Sequence, residues 1–139
     1  MKRISKEDYY MEIAKTVSLR STCIRARAGV VIVLNDSIVS TGYSGSERGG
    51  ENCCDAGICE RDRLHIPPGE RYELCRSIHA EMNSIINAAR SGSSVVGGDM
   101  YIYFERLDGQ KKMHGKPCLM CSRMITNVGI KKCIFKEIL

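Results

Sequence analysis

His79-Ala80-Glu81 and Pro117-Cys118-Leu119-Met120-Cys121 carry the side chains of this sequence best suited to grip a metal ion and move a proton beside it. An imidazole and two thiols make three zinc ligands with a fourth position open to water. That is the count of a catalytic zinc, since structural zincs usually have four protein ligands. Bare water is a weak nucleophile, and zinc lowers the pKa of a bound water from 15.7 to about 7. Glu81, two residues beyond His79, points away from the ligand direction and is the candidate proton carrier. Each half alone fits a bland alternative, a core histidine or a structural thiol pair. Together and in this order they point to metal-assisted hydrolysis.

Both halves need helix starts. Met82, Ile85, Ile86 and Ala89 recur at helical spacing, and Ser91-Gly92-Ser93-Ser94 ends the pattern, so His79 and Glu81 fall in a first turn. That end presents free N–H groups and partial positive charge. Pro117 favours a first helical turn, cysteines three apart share a helical face, and a helix start favours thiolate. Upstream, Ser5 to Leu19 reads as an amphipathic helix capped at Ser5, with Tyr9, Ile13, Thr16 and Val17 on its inner face. Gly29 to Leu34 is dense in β-branched residues and reads as a strand buried on both faces. Asn35-Asp36-Ser37 turns it into a hairpin with 38–43. Residues 99–104 and 131–136 read as two further strands, with a polar connection over 105–116. The alternation predicts one α/β domain over 1–139, with helices covering a mixed sheet of these four strands. Between Ser44 and Glu73 the apolar pattern vanishes, which marks a functional or metal-held loop.

A chain of 139 residues can bury one sound core. Net charge is +5 with both signs interspersed, which suits a phosphate-bearing ligand. Aromatic content is 6% with no tryptophan, which argues against a sequence-independent single-strand binder. The N-terminus has no apolar signal core and no later run is long enough to span a membrane. A cytoplasmic protein is expected, in which eight cysteines mark metal more often than disulfides.

His-x-Glu followed by Pro-Cys-x-x-Cys is the pattern of zinc nucleobase deaminases. On His79-Ala80-Glu81 and Pro117-Cys118-Leu119-Met120-Cys121 the chain resembles the cytidine/deoxycytidylate deaminase superfamily. Arg20-Ser21-Thr22-Cys23 with Arg25, Thr41-Gly42-Tyr43-Ser44-Gly45-Ser46 and Ile78 to Asn83 resemble its deoxycytidylate branch. The resemblance implies a three-layer α/β/α fold on a five-stranded sheet and zinc-dependent hydrolysis of dCMP to dUMP and ammonia. It also implies a homo-oligomer and, in some members, control by dCTP and dTTP. Carried over by residue, His79, Cys118 and Cys121 hold zinc, Glu81 shuttles protons, Asn83 lies near the sugar, and Arg25 is the candidate for the 5′-phosphate. Related enzymes acting on nucleosides, modified nucleotides, tRNA or single-stranded nucleic acid form the first rival reading. A zinc-stabilised interaction module forms the second.

Three departures stand out. Ser44 replaces an asparagine that usually contacts substrate. The 105–116 link is long and carries Lys111, Lys112 and Lys116. Little chain remains after the 131–136 strand to form a fifth. Some members of the branch also hold a second, structural zinc near the glycine-rich loop. Cys23 and Cys53 resemble positions used there, with Cys54, Cys59, Cys75 and His65 as further candidates.

Overall fold

In the computed structural model, residues 1–109, 113–135, 137 and 138 are described. Helix α1 (Lys6–Ser18) starts at Ser5, whose Oγ accepts the Asp8 N–H. Strand β1 (Ala26–Leu34) runs antiparallel to β2 (Ser37–Tyr43), and Asn35 and Asp36 both take the positive φ that a two-residue hairpin needs. The 44–73 region holds two one-turn helices, α2 (Cys53–Ala56) and α3 (Glu60–Arg63), and a 3-10 turn follows at Tyr72–Leu74. Then come α4 (Ala80–Ser91), β3 (Asp99–Arg106), β4 (Met113–His114), α5 (Leu119–Val128), β5 (Lys132–Phe135) and β6 (Glu137–Ile138).

The main sheet has the order β2-β1-β3-β5, with β3 antiparallel to β1 and parallel to β5. Its two faces follow from strand alternation. Val30, Ile32, Met100 and Ile102 pack on Ala80 and Ala88 of α4 and on Cys121 and Ile125 of α5. Val31, Val33 and Tyr101 pack on Tyr10, Met11 and Ala14 of α1. The result is the expected α/β/α layering. Among the described residues this sheet has four strands, and the short β6 pairs with β4 in a separate two-stranded ribbon.

The inner face of α1 is rotated by one residue from the sequence expectation. Tyr10 and Met11 are buried, whereas Tyr9 is 48% exposed. Gly29 explains the close seat, since a Cβ there would meet the Ala14 carbonyl at 2.1 Å.

The helix that begins at His79 is seated as tightly on β2. A Cβ on Gly42 would stand 2.3 Å from the Ser84 nitrogen and 2.8 Å from the Ala80 oxygen, both backbone atoms that no rotamer change can move. Ser40 Oγ donates to the Ser84 carbonyl at 2.6 Å, and Ser84 Oγ donates to that of Glu81 at 2.7 Å. Gly42→Ala is therefore expected to push α4 outward and cost about 1–3 kcal/mol, read as a lower urea midpoint.

Candidate zinc and catalytic site

His79 is the N-cap residue of α4 and Cys118 that of α5. His79 and Cys118 line one cavity together with Phe104 and Arg106 of the carboxyl-end half of β3, the strand end at which open α/β sheets usually place ligands. His79 Nδ1 is 3.3 Å from Cys121 Sγ and 3.6 Å from Cys118 Sγ. The three ligand atoms all lie within 4.8 Å of one another, and no further His, Cys, Asp or Glu joins the group among the described residues. One nitrogen and two sulfurs at this spacing are a donor set that fits zinc and leaves a position open.

Local electrostatics favour a metal-ready histidine. Burial holds the His79 imidazole below its ordinary value, with Glu81 pulling the other way and Arg61 adding to the lowering. The neutral form is the one that ligates. The Cys121 thiol is pushed up strongly, first by burial and then by the Glu81 charge, with Cys118 adding to it. A cation between the sulfurs opposes those same causes, so thiolate formation and metal binding are one event here. Cys118 also serves the helix, since its sulfur accepts the Cys121 N–H at 3.5 Å.

A cavity of about 450 Å³ opens at this point, and His79, Glu81 and Cys118 are part of its wall. Glu81 is 8% exposed, so its carboxylate is largely shielded from bulk water while facing the cavity. Ile102 and Phe104 of β3 supply an apolar surface. Ser44 and Ser77 are buried on the wall, and neither hydroxyl has a hydrogen-bond partner. The rim is basic: among the described residues Arg25, Arg61, Arg76, Arg106 and Lys116 face the cavity against two acids, Glu60 and Glu81.

The other sequence candidates are distributed unevenly. Arg25 reaches the wall, with its Nε donating to Asp62 Oδ2 at 3.2 Å and its Nη2 bonded to Oδ1. Asn83 stands off the wall. Its Nδ2 donates to the carbonyls of Tyr43 (2.8 Å), Gly45 (3.3 Å) and Ile78 (3.4 Å), which ties the 43–45 segment, with Ser44 in it, to α4. Cys23, Cys53, Cys59 and Cys75 line the cavity, whereas Cys54 and His65 are exposed and do not. Among the described residues no three of those four thiols match the 4.8 Å spacing of the His79 trio. Lys111 and Lys112 lie outside the described residues.

Sequence reasoning missed Arg61, Tyr72, Ser77 and Phe104. Tyr72 meets the His79 ring edge-on, with centroids 5.3 Å apart, and Arg61 lies 4.6 Å over the Tyr72 ring. The loop that carries Arg61 and Tyr72 has no periodicity to reveal them.

Residues 4–137 match the family model described as the cytidine and deoxycytidylate deaminase zinc-binding region. The deoxycytidylate deaminase of Schizosaccharomyces pombe is 34% identical over 96% of this chain, which spans 37% of that protein's length. The deoxycytidylate deaminase of Enterobacteria phage T4 is 32% identical over 95% of the chain and 78% of its own. Among solved structures, the dCMP deaminase of cyanophage S-TIM5 in complex with dCMP and dUMP matches with a TM-score of 0.66 and 28% identity. That match covers 94% of this chain and 82% of the other.

Proposed function

The chain belongs to the cytidine and deoxycytidylate deaminase family, and on that premise we propose that it hydrolyses dCMP to dUMP and ammonia. The observation that carries this reading is the closeness of the His79, Cys118 and Cys121 ligand atoms beside a shielded Glu81, under a basic rim. Zinc, when bound, supplies a water acidic enough to act as nucleophile at neutral pH. Glu81 is the proton carrier: it would pass a proton from the attacking water to N3 as the oxygen adds to C4, then pass the proton of the new C4 hydroxyl to the amine, so that C4 becomes a carbonyl and ammonia leaves. His79, Cys118 and Cys121 hold the metal, and Phe104 and Ile102 give the base an apolar surface. Ser44 offers its unpartnered hydroxyl to the substrate, Arg25 turns an edge of its guanidinium toward the 5′-phosphate, and Asn83 fixes the loop that carries Ser44. The relative from cyanophage S-TIM5, solved with dCMP and dUMP, supports the choice of base and phosphate.

The same reading extends to a cytoplasmic homo-oligomer with dCTP and dTTP as effectors. Among the described residues no helix is long and apolar enough to cross a membrane. The reading also assigns a second, structural zinc to Cys23, Cys53, Cys59 and Cys75, whose thiols would draw together around the ion from the wider spacing they have in this structure. Four thiols suit such a site, and all four share one wall. Burial pushes the Cys53 thiol up, and Cys23, Cys59 and Cys75 push it further in the same direction.

Ammonia release across dCMP, cytidine, dCTP, guanine and a tRNA, with zinc counted per chain, tests the substrate and zinc assignments. The expected result is dCMP at least about a hundredfold ahead of cytidine in kcat/KM, because a site built for a charged group rejects an analogue without it. Two zincs per chain are expected, falling to one in Cys53→Ser. Turnover of the tRNA instead of dCMP would replace the substrate assignment.

A further inference from the structure

We propose that Arg61 is a specificity-determining residue that binds the phosphate of the nucleotide, opposite the fork of Arg25. The proposal deepens the mononucleotide reading and rests on it. Four arginines face the cavity, and three already have carboxylate partners: Arg25 with Asp62, Arg76 with Glu51 and Glu60, and Arg106 with Asp108. Arg61 is the exception. Among the described residues no carboxylate lies within ion-pair distance of it. Its Nη1 donates to the Glu70 carbonyl at 3.0 Å, and its Nε is buried with no acceptor at all.

A guanidinium placed in a cavity with a buried, unpartnered Nε and no ion-pair partner is costly until an anion arrives. Its position is fixed in advance. The ring of Tyr72 supports the guanidinium from below at 4.6 Å, and Tyr72 in turn abuts His79. Arg61 is therefore one aromatic ring away from the zinc ligand, a spacing suited to the far end of a nucleotide whose base is at the metal. Helix α3 serves both arginines. It carries Arg61 itself, and its next residue, Asp62, grips the Nε and Nη2 edge of Arg25 and leaves the Nη1 edge for a ligand. A planar fork that offers paired N–H groups matches phosphate oxygens. Arg61 also hydrogen-bonds the Cys75 thiol, and its charge opposes the burial that pushes that thiol up, which defines the competing role: a counter-charge for the thiol cluster.

The experiment uses the full zinc-loaded chain with Arg61→Gln and Arg61→Lys. Calorimetry with dUMP and with deoxyuridine separates phosphate from base and sugar, and KM for dCMP and zinc per chain are read on the same samples. Removing a charge-assisted contact to phosphate should weaken dUMP at least about tenfold in Arg61→Gln and raise KM for dCMP in step. Deoxyuridine affinity and zinc content should stay at wild-type values. Lysine should restore part of the loss, because it keeps the charge without the fork. Equal losses for dUMP and deoxyuridine, unchanged dUMP affinity, or loss of zinc in Arg61→Gln would each overturn the proposal, the last in favour of the thiol cluster. Failure of the parent reading looks different: the wild type binds dUMP through Arg61 yet releases no ammonia from dCMP.

Discussion

Glu81→Gln will keep its zinc and release ammonia about 10³–10⁴-fold more slowly, at the upper end of what a positioned proton carrier supplies. The substitution is nearly isosteric, and the side chain is 8% exposed in a wall already shaped around it. The link from Ser84 Oγ runs to the Glu81 backbone carbonyl, so the tie between α4 and β2 does not involve the carboxylate. Metal retention follows from the electrostatics. The Glu81 charge is one of the causes that push the Cys121 thiol up, so its removal makes the thiolate easier to form. An amide cannot accept a proton from water or return one to the departing amine. Zinc analysis and an ammonia assay on one preparation check both halves. Activity within about tenfold of wild type, with zinc intact, would take Glu81 out of the reaction.

The ligand trio was legible in sequence because each half is local. A histidine at one helix start and a pair of cysteines at another are set by the spacing of Met82, Ile85 and Ile86 and by Pro117, and β3 and β5 each lead from or into one of those helices. The strands were legible for the same reason, through β-branched runs at 29–34 and 38–43. What escaped is made by contacts between distant residues. The 44–73 region reads as featureless, yet Arg76 bonds to Glu51 and Glu60, Arg25 bonds to Asp62, and Cys54 N–H reaches the Thr22 carbonyl. No periodicity encodes such pairs, so Arg61 and Tyr72 gave no signal. The one-residue rotation of α1 has a similar origin. Its helical stripe admits either face, and the missing side chain at Gly29 decides which one lies against the sheet.

The two cysteines of the proposed zinc site should separate when each is changed to serine, although both changes are expected to remove the catalytic zinc and with it ammonia release. A hydroxyl is a far poorer zinc ligand than a thiolate, so the zinc count should fall by one per chain in either variant. The difference lies in the protein without metal. Cys121 is 0% exposed and packs in the cluster with Ile125, Met100 and Ile102. A serine there buries a hydroxyl among apolar side chains and leaves space a sulfur filled, which costs about 1–3 kcal/mol. Cys118 is half-buried at the N-cap of α5, where its sulfur accepts the Cys121 N–H at 3.5 Å. Serine is among the preferred residues at that position, since its oxygen is the better acceptor. In excess chelator, Cys121→Ser should therefore unfold at lower urea than wild type, and Cys118→Ser at the same concentration or higher. In zinc, both should fall below the wild type, because binding energy available only to the folded state is lost. Retention of full zinc in either variant would mean that the ion is held elsewhere.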